Sequence, residues 1–334
     1  MLNVVLVGFG WWGQHIAKRL RDHPEFKVAC VVEPAEANHG AVQALGLEPV
    51  TDYAAAIARP GVEAVILTSP NDQHDIQIRQ AVEAGKHVFC EKPLSLTAAG
   101  ARESMRLCQE AGLVLGIGHE RRFEPGIQAL KQMLDENALG TIMHAELAFS
   151  HDKLIGLPKD SWRTSKAHAP AAGMTQMGIH LTDMLVWFFG PVETVSAITT
   201  SRSLGWETGD VVTVQLKFEA GMTATLQAIL HTPHFIRTHV FGTDMWVEIR
   251  NATHPDTPGG KTDMELYRSL DDNEKRVFDW TDSVTANLEA FAAAIRGMAP
   301  YPYSPFEMVH NIEVLEAIIR SAETGTIVRP DRRM

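Results

Sequence analysis

The chain has 334 residues, and its 45% apolar and 21% charged residues are typical of a folded globular protein rather than a disordered one. At about 150 residues per domain, this length predicts two domains. The 30 Lys and Arg residues against 41 Asp and Glu give a net charge of −11, which argues against a general nucleic-acid or anionic-membrane binder.

The cysteines and the N-terminal residues indicate the cellular compartment in which the protein is expected. Cys30, Cys90 and Cys108 are far apart and form no CxxC pair, so we expect neither a disulfide framework nor a cysteine zinc site. Residues 1–7 are apolar, but no basic residue precedes them and glycines follow at once, unlike a secretory signal. No run of 18 apolar residues occurs, and we expect a soluble, cytoplasmic protein.

The first 120 residues alternate between short apolar runs and stretches with helical periodicity. Because the apolar runs are continuous, they are typical of parallel strands buried on both faces. The predicted strands are 3–7, 27–32, 64–68, 87–90 and 114–118. The predicted helices are 13–23, 36–45, 53–58, 73–84 and 97–111. This order predicts an α/β fold with a doubly wound parallel sheet.

Strands dominate after about residue 122. The predicted strands are 142–149, 194–200, 211–218, 222–229, 239–242 and 246–249, with a hairpin between the third and fourth. The predicted helices are 125–136, 178–189, 283–296 and 305–324, and the clearest loop is 253–262. We predict a domain at 1–122 and an α+β domain at 123–334 with a large, open, mainly antiparallel sheet. The final helix can pack back on the first domain.

A glycine-rich motif follows the first predicted strand and opens a helix. It reads Gly8-Phe9-Gly10-Trp11-Trp12-Gly13, and Glu33 ends the next strand. This is the context of a dinucleotide site, in which the glycines allow a tight turn, a close approach of the pyrophosphate and close helix packing. The helix N-terminus then faces the phosphates. Glu33 can accept hydrogen bonds from the ribose hydroxyls and repels a 2′-phosphate, so we expect NAD rather than NADP.

Several further motifs occur in the order and spacing of a known family. They are Ala64-Val65-Ile66-Leu67-Thr68-Ser69-Pro70-Asn71-Asp72-Gln73-His74, Ala84-Gly85-Lys86-His87-Val88-Phe89-Cys90-Glu91-Lys92-Pro93, Gly118-His119-Glu120-Arg121-Arg122-Phe123, Trp162-Arg163, Gly178-Ile179-His180-Leu181-Thr182-Asp183 and Ser321-Ala322-Glu323-Thr324-Gly325. Over essentially its whole length the chain resembles the Gfo/Idh/MocA oxidoreductases, the family of glucose–fructose oxidoreductase and inositol dehydrogenase. The resemblance implies an N-terminal Rossmann domain that binds NAD(P). It also implies a C-terminal open sheet that holds the substrate and joins subunits into a homodimer or homotetramer.

The resemblance implies two main catalytic residues. Lys92 matches the family's lysine that hydrogen-bonds the reacting oxygen and stabilises its alkoxide character. His180 matches the general base that removes the hydroxyl proton, a task that suits imidazole because its ordinary pKa is near 6.5.

Gln176 departs from the family pattern, in which many members carry Asp four residues before the histidine. Gln176 and His180 would share one helical face if the segment were helical throughout. Glutamine can hydrogen-bond but carries no charge, so either the usual three-residue relay is altered or the glutamine is a tolerated replacement. We keep Gln176 as a catalytic and substrate-contacting candidate.

The resemblance also implies which residues contact the cofactor and which contact the substrate. Cofactor contacts are expected from Ser69, Pro70, Asn71, His74, Glu91, Lys92, Trp162 and Arg163. Substrate contacts are expected from Lys92, Arg121, Arg122, Trp162, Gln176 and His180. Glu120 and His151 are weaker candidates. For Asn71 (or Asp72) the alternative is a helix cap, and for His74 it is a histidine in the first helical turn; both interpretations can hold together. Of Trp11 and Trp12, one indole can cover the cofactor, or the pair can plug the space under the first helix.

The 15 histidines raise the question of a metal site. The densest group is His231, His234 and His239, but a proline interrupts it and no matching carboxylate accompanies it, so we expect exposed loop histidines and no metal.

The predicted function is therefore an NAD(P)-dependent oxidoreductase that interconverts a secondary alcohol and a ketone on a sugar, cyclitol or related polar compound. Two alternatives stay open: an enzyme of a non-sugar cyclic diol or small aldehyde, and a catalytically silent regulatory protein that senses a dinucleotide.

Overall fold

The structure, a computed structural model, describes residues 1–332. The chain divides into two compact units. The first unit comprises residues 1–119 and 284–309, and the second comprises 120–283 and the segment from residue 310 onward. Within residues 1–332, no helix is both long and apolar enough to span a membrane.

The sheet of the first unit has six parallel strands. They are β1 Leu2–Val7, β2 Phe26–Val32, β3 Pro49–Val50, β4 Ala64–Leu67, β5 His87–Cys90 and β6 Leu115–Ile117. The helices between them are α1 Trp11–Leu20, α2 His39–Gln43, α3 Tyr53–Ile57, α4 His74–Glu83 and α5 Ala98–Glu110. The strand order β3-β2-β1-β4-β5-β6 confirms the predicted doubly wound fold, and its order reverses between β1 and β4.

Local chemistry explains most of these element bounds. The strands are runs of buried apolar residues, and Thr97 caps α5 by accepting a hydrogen bond from the amide of Gly100 (3.0 Å). The predicted helix 36–45 is instead a short 3₁₀ turn followed by α2, since Asn38 and Gly40 are poor helix formers. The two-residue strand β3 escaped prediction because it is too short to show a pattern.

The second unit is built on an eight-stranded sheet. Its strands are β7 Ile142–Ser150, β8 Val192–Thr200, β9 Val211–Phe218, β10 Thr223–Ile229, β11 Phe235–Gly242, β12 Trp246–Asn251, β13 Lys261–Ser269 and β14 Asp272–Asp279. The remaining helices are α6 Pro125–Asp135, α7 Ile179–Phe189, α8 Ser283–Ile295 and α9 Pro305–Thr324. The order is β14-β13-β12-β11-β7-β10-β9-β8, and β7 and β10 form its parallel pair. The mainly antiparallel sheet and the β9–β10 hairpin are confirmed.

Two strands of this sheet were missed. β13 and β14 lie at one edge and carry many charged residues, which blunt an exposed edge but hide the strand pattern. β13 also begins at Lys261, inside the predicted loop 253–262.

The observed units also differ from the predicted boundary after residue 122. The second unit begins at Glu120, and residues 284–309 belong to the first unit. Most of the helical residues in this later segment of the first unit come from α8 rather than from the final helix. Leu288 and Phe291 lie in the core of the first unit, where the Phe291 ring meets that of Phe89 edge-on at 5.6 Å between centroids.

Candidate active site

The glycine loop of the first unit follows β1 and leads directly into α1. Gly8 has φ of +90°, a conformation that side chains disfavour. A Cβ on Gly13 would lie 2.2 Å from the carbonyl oxygen of Gly8 and 2.8 Å from Oγ1 of Thr68. Only glycine at position 13 therefore lets α1 pack this closely on the strand end.

Gly10 differs from Gly13 because no other residue packs against the position of its Cβ. A Cβ built there meets no heavy atom within 4 Å, and Gly10 is the N-cap of α1, with no side-chain hydrogen bond to the cap among the described residues. An open helix N-terminus with free approach to the backbone fits the pyrophosphate of a dinucleotide.

Glu33 lies at the end of β2 with its carboxylate fixed. One oxygen accepts a hydrogen bond from the amide of Phe9 (3.0 Å), and the other accepts one from the amide of Ala35 (2.9 Å). The side chain is buried, yet each oxygen keeps a lone pair for a ribose hydroxyl. The group therefore fits NAD, whereas a 2′-phosphate would bring negative charge against it.

The two tryptophans of the loop have different surroundings. Trp11 is 55% exposed, whereas Trp12 packs against the apolar core of the first unit. The indole nitrogen of Trp12 is buried without a hydrogen-bond partner in the structure. Trp12 thus fits the plug interpretation, and Trp11 is the indole with access to a ligand.

The segment after β4 contains Ser69, Pro70, Asn71 and His74. Ser69 donates a hydrogen bond to the side chain of Gln77 (2.5 Å), and Pro70 is half-buried. His74 is fully buried, with Nδ1 2.8 Å from the carbonyl oxygen of Pro93. This burial lowers its pKa. The predicted direct cofactor contact does not fit such burial: His74 instead supports the turn that carries Lys92.

Lys92 lies in that turn, directly after β5. It is half-buried, its peptide bond to Pro93 is cis, and its amide donates to the Glu91 carboxylate (3.3 Å). Glu91 is buried against Gly118, where a Cβ would lie 2.4 Å from the carboxylate. Burial raises the pKa of the neighbouring Cys90 thiol well above its usual range, which makes Cys90 a poor nucleophile.

In the second unit His180 lies in the first turn of α7 and is 4% exposed. Its Nε2 is 3.9 Å from Oε1 of the buried Glu120. The ring of Phe149, at the end of β7, lies 6.0 Å from the His180 ring between centroids. His180 is thus a buried imidazole beside a carboxylate, and imidazole is the side chain that most often serves as a general base.

Gln176 lies in a turn of π-helix, Met174–Gly178, that precedes α7. Its amide nitrogen donates to the carbonyl oxygen of Arg163 (2.9 Å), and its amide oxygen accepts from the hydroxyl of Thr175 (3.0 Å). The segment before His180 is thus not α-helical, and the i, i+4 geometry assumed from the sequence does not apply. Such π turns are frequent at functional sites.

Arg121 and Arg122 are both buried in ion pairs. Nε of Arg121 donates to Glu124 (2.6 Å), and Arg122 binds both oxygens of Asp183 (2.6 and 2.8 Å). The prediction that these guanidiniums contact substrate is not supported by this arrangement, because their charge is already matched by carboxylates within the unit.

Trp162 and Arg163 form a 3₁₀ turn, in which the Arg163 guanidinium lies 4.2 Å from the centre of the Trp162 ring. Burial lowers the pKa of Arg163. Trp162 also lines a cavity of about 480 Å³ in the second unit, together with Trp206 and the hydroxyl residues Ser161 and Ser165. Of the two predicted residues, Trp162 therefore lies beside open space.

A group of histidines near Phe149 was largely missed from the sequence. His151 and His254 lie 5.3 Å apart between ring centroids, and both touch the Phe149 ring. Burial and the neighbouring His254, Lys153 and His234 lower the pKa of His151 to about 4. His254 stands in a loop without a motif, so no sequence signal pointed to it.

The candidate metal histidines do not converge. His231 contacts the hydroxyl of Ser203, His234 contacts the carbonyl oxygen of Asn251, and His239 packs beside Arg237. Among residues 1–332, no group of three His, Cys, Asp or Glu side chains is placed to hold a metal ion.

Comparison with known families decides the classification. Residues 2–119 match the model of the oxidoreductase family with an NAD-binding Rossmann fold, and residues 127–248 match the C-terminal domain of the same family. The chain belongs to the Gfo/Idh/MocA family. The glycine loop and Glu33 therefore lie in the NAD-binding fold of a Gfo/Idh/MocA oxidoreductase.

Named relatives act on several sugar derivatives. The chain is 28% identical over 235 residues to 2,7-anhydro-N-acetylneuraminate hydratase of Escherichia coli, covering 68% of this chain and 61% of that relative's length. It is 29% identical over 311 residues to D-xylose 1-dehydrogenase (NADP(+)) 2 of Haloferax volcanii, covering 92% and 93%. The crystal structure of an NAD-binding oxidoreductase from Klebsiella pneumoniae superposes with a TM-score of 0.85 at 22% identity, covering 99% and 100%, and so shares the fold.

Proposed function

We propose that this Gfo/Idh/MocA protein is an NAD-dependent dehydrogenase that interconverts a secondary alcohol and a ketone on a sugar, cyclitol or related polar compound. The observation that carries the dinucleotide part is the uncapped N-terminus of α1 at Gly10, beside the fixed carboxylate of Glu33. The substrate class is supported by the sugar derivatives named for the relatives.

The chain's own residues have distinct tasks in this proposal. Bound NAD supplies the acceptor for the hydride that leaves the alcohol carbon. Lys92 donates a hydrogen bond to the reacting oxygen and stabilises the negative charge that develops there. His180 takes the proton of the same hydroxyl, so that hydride and proton leave together and a ketone forms. Gln176 is neutral and contacts the substrate without accepting a proton.

The decisive experiment follows NADH fluorescence while the purified protein is incubated with NAD and a panel of sugars, cyclitols, cyclic diols and aldehydes. We expect turnover on a sugar or cyclitol. Turnover confined to non-sugar diols or aldehydes would move the assignment to that substrate class. Tight NADH binding without turnover across the panel would instead favour the dinucleotide sensor.

Replacement of Lys92 tests the proposed chemistry directly. Lys92→Ala should lower kcat about 100- to 1,000-fold, the usual loss when one donor to a developing oxyanion is removed. Lys27→Ala, an exposed lysine on β2, serves as the control and should keep full activity. Full turnover by Lys92→Ala would refute the role of the lysine.

We further propose that the enzyme is cytoplasmic and forms a homodimer or homotetramer through the sheet of the second unit. Tyr267, Trp246, Phe241 and His144 lie opposite one another on successive strands, and the rings of Trp246 and Tyr267 stack at 4.9 Å. Such a row of aromatic side chains on one sheet face suits a protein interface. Light scattering after size exclusion tests this proposal, and a monomeric mass at micromolar concentration would exclude it.

A further inference from the structure

Basic side chains gather beside the Phe149 ring at the end of β7, and the proposed chemistry assigns them no task. Three separate segments of the second unit contribute them: the residues after β7, those before β11 and the loop after β12. We call them the basic group, which consists of His151, Lys153, His234 and His254. The His254 ring lies 5.3 Å from that of His151 and 6.4 Å from that of His234, between centroids.

The ring of His151 offers a hydrogen-bond donor to a ligand. His151 is 6% exposed, and its Nδ1 accepts a hydrogen bond from the amide of Lys153 (3.2 Å). In the neutral ring the hydrogen therefore lies on Nε2. Among residues 1–332, the structure shows no acceptor for this N–H. The donor is thus available to a ligand oxygen.

The charges of the basic group are only partly matched within the protein. Burial lowers the pKa of His151 to about 4, and the neighbouring positive charges of the group add to the effect. The ammonium of Lys153 is exposed and forms no ion pair with any residue of the described chain. Asp256, 3.2 Å from Nδ1 of His254, offsets part of the charge. A bound anion would relieve the remaining repulsion and accept charge-assisted hydrogen bonds.

Phe149 connects the basic group with the candidate general base. Its ring lies 6.0 Å from that of His180 and 5.8 Å from that of His151, between centroids. All of these residues belong to the second unit. One aromatic side chain, similar in size to a sugar ring, therefore stands between the proposed site of proton transfer and the basic group. One substrate molecule can reach both.

We propose that the basic group binds the acidic group of an anionic sugar or cyclitol, either a carboxylate or a phosphate ester, while the reacting hydroxyl lies at His180. The proposal rests on the proposed function for the place of that hydroxyl, and it narrows the substrate class to sugar acids or sugar phosphates. Either acidic group has several acceptor oxygens, so it can bind the Nε2–H of His151 and the Lys153 ammonium together. A neutral sugar leaves this positive charge unmatched.

The test is an NMR titration of the histidine rings in the full-length protein, with and without NADH, with His151→Asn used to assign the resonance. The probes are D-glucuronate and D-glucose 6-phosphate, and the comparisons are D-glucose and inorganic phosphate. A sugar acid should raise the titration midpoint of His151 by about one pH unit or more, because a nearby anion favours the protonated ring. D-glucose should leave the midpoint unchanged.

Lys153→Met tests the basic group without changing a buried side chain, since Lys153 is exposed. In titration calorimetry this variant should bind the sugar acid about tenfold or more weakly, as expected when a charged donor is lost. Lys217→Met, which removes an exposed lysine on β9, is the matched control and should bind like the wild type. In an active enzyme, Lys153→Met should raise KM for the acid by a similar factor, with kcat changed little.

The outcomes separate the two acidic groups and can overturn the proposal. A response to D-glucuronate alone assigns a carboxylate, and a response to D-glucose 6-phosphate alone assigns a phosphate ester. Unchanged midpoints with both acids would refute the proposal, as would equal losses of affinity in Lys153→Met and Lys217→Met. A response to inorganic phosphate without either sugar acid would also refute it. Neither binding measurement requires turnover, so failure of the proposed function is seen separately in the experiment with NADH fluorescence.

Discussion

The carboxylate of Glu33 is expected to determine whether the protein prefers NAD or NADP. The amides of Phe9 and Ala35 hold it in place, so it cannot swing away from an incoming phosphate. Glu33→Gln should therefore raise kcat/KM with NADP relative to NAD by about tenfold, which corresponds to about 1.4 kcal/mol. Steady-state kinetics with both cofactors measures the ratio. Glu36→Gln, an exposed carboxylate just beyond, is the control, and an equal shift in both variants would contradict the assignment.

The buried pair of Arg122 and Asp183 is expected to matter for stability rather than for chemistry. Asp183→Asn removes the carboxylate charge that pairs with the buried Arg122 guanidinium and should lower the free energy of unfolding by about 3–5 kcal/mol. Urea unfolding followed by circular dichroism gives this value. Glu110→Gln removes a partner of the exposed Arg106 and should change the free energy of unfolding far less, because solvent screens that pair. Similar losses in the two variants would show that burial is not the cause.

At the scale of elements, the junction of β1 and α1 contains two glycines with different expected roles. Gly10 is expected to serve dinucleotide binding, and Gly13 is needed for packing. Gly10→Ala adds a methyl group where no atom lies within 4 Å, at an ordinary φ of −63°. The fold should therefore keep its melting temperature, while the methyl group obstructs the pyrophosphate and weakens NAD binding at least tenfold. Fluorescence titration with NADH measures the affinity.

Gly13→Ala is the matched packing variant. Its Cβ would overlap the carbonyl oxygen of Gly8 at 2.2 Å, so thermal unfolding should occur several degrees lower even without cofactor. If Gly10→Ala destabilised the protein as much as Gly13→Ala, the space at Gly10 would have a structural rather than a binding role.

Elements with strong local patterns were predictable from the sequence. The apolar runs of β1, β2, β4 and β5 and the hairpin of β9 and β10 were found within a few residues of their ends. The charged edge strands β13 and β14 and the π-helical turn at Gln176 were not, because neither an exposed strand nor a π turn leaves a clear periodicity. The glycine loop was predictable because all of its residues are neighbours in sequence.

The pairing of Glu120 with His180 lay beyond such patterns. The two residues are far apart in the chain, and only the packing of α7 beside the 3₁₀ helix at residue 120 brings them together. The burial of His74, Arg121 and Arg122 was likewise invisible, since a polar side chain gives no local sign of whether it faces solvent or core. The sequence motifs identified candidate site residues. The three-dimensional packing was needed to tell residues that support the site from residues that can contact a ligand.

For the whole molecule, buried histidines predict a loss of stability in mild acid. Burial lowers the pKa of His151 and His239 to about 4, with the Arg237 charge adding to the effect at His239. The unfolded chain takes up protons near pH 6.5, whereas the folded chain resists until about pH 4. Stability is therefore present above pH 6.5 and falls as pH decreases through this window, by about 1.4 kcal/mol per pH unit for each histidine.

Urea unfolding at several values between pH 7 and pH 4.5 tests this expectation. The free energy of unfolding should decline with acidification in the wild type, and more gently in His239→Gln, which removes one of the titrating groups. Parallel curves for the two proteins would show that His239 does not contribute.

The position of α8 has a consequence for synthesis on the ribosome. The core of the first unit includes Val284, Leu288, Phe291 and Ala292, which leave the ribosome long after β6. At about 5–20 residues per second, the interval is roughly 8 to 33 seconds. During that time the surface around Phe89 stays open, and the nascent chain offers an apolar target to chaperones. An N-terminal fragment ending at residue 122 would keep that surface permanently and should aggregate when expressed alone.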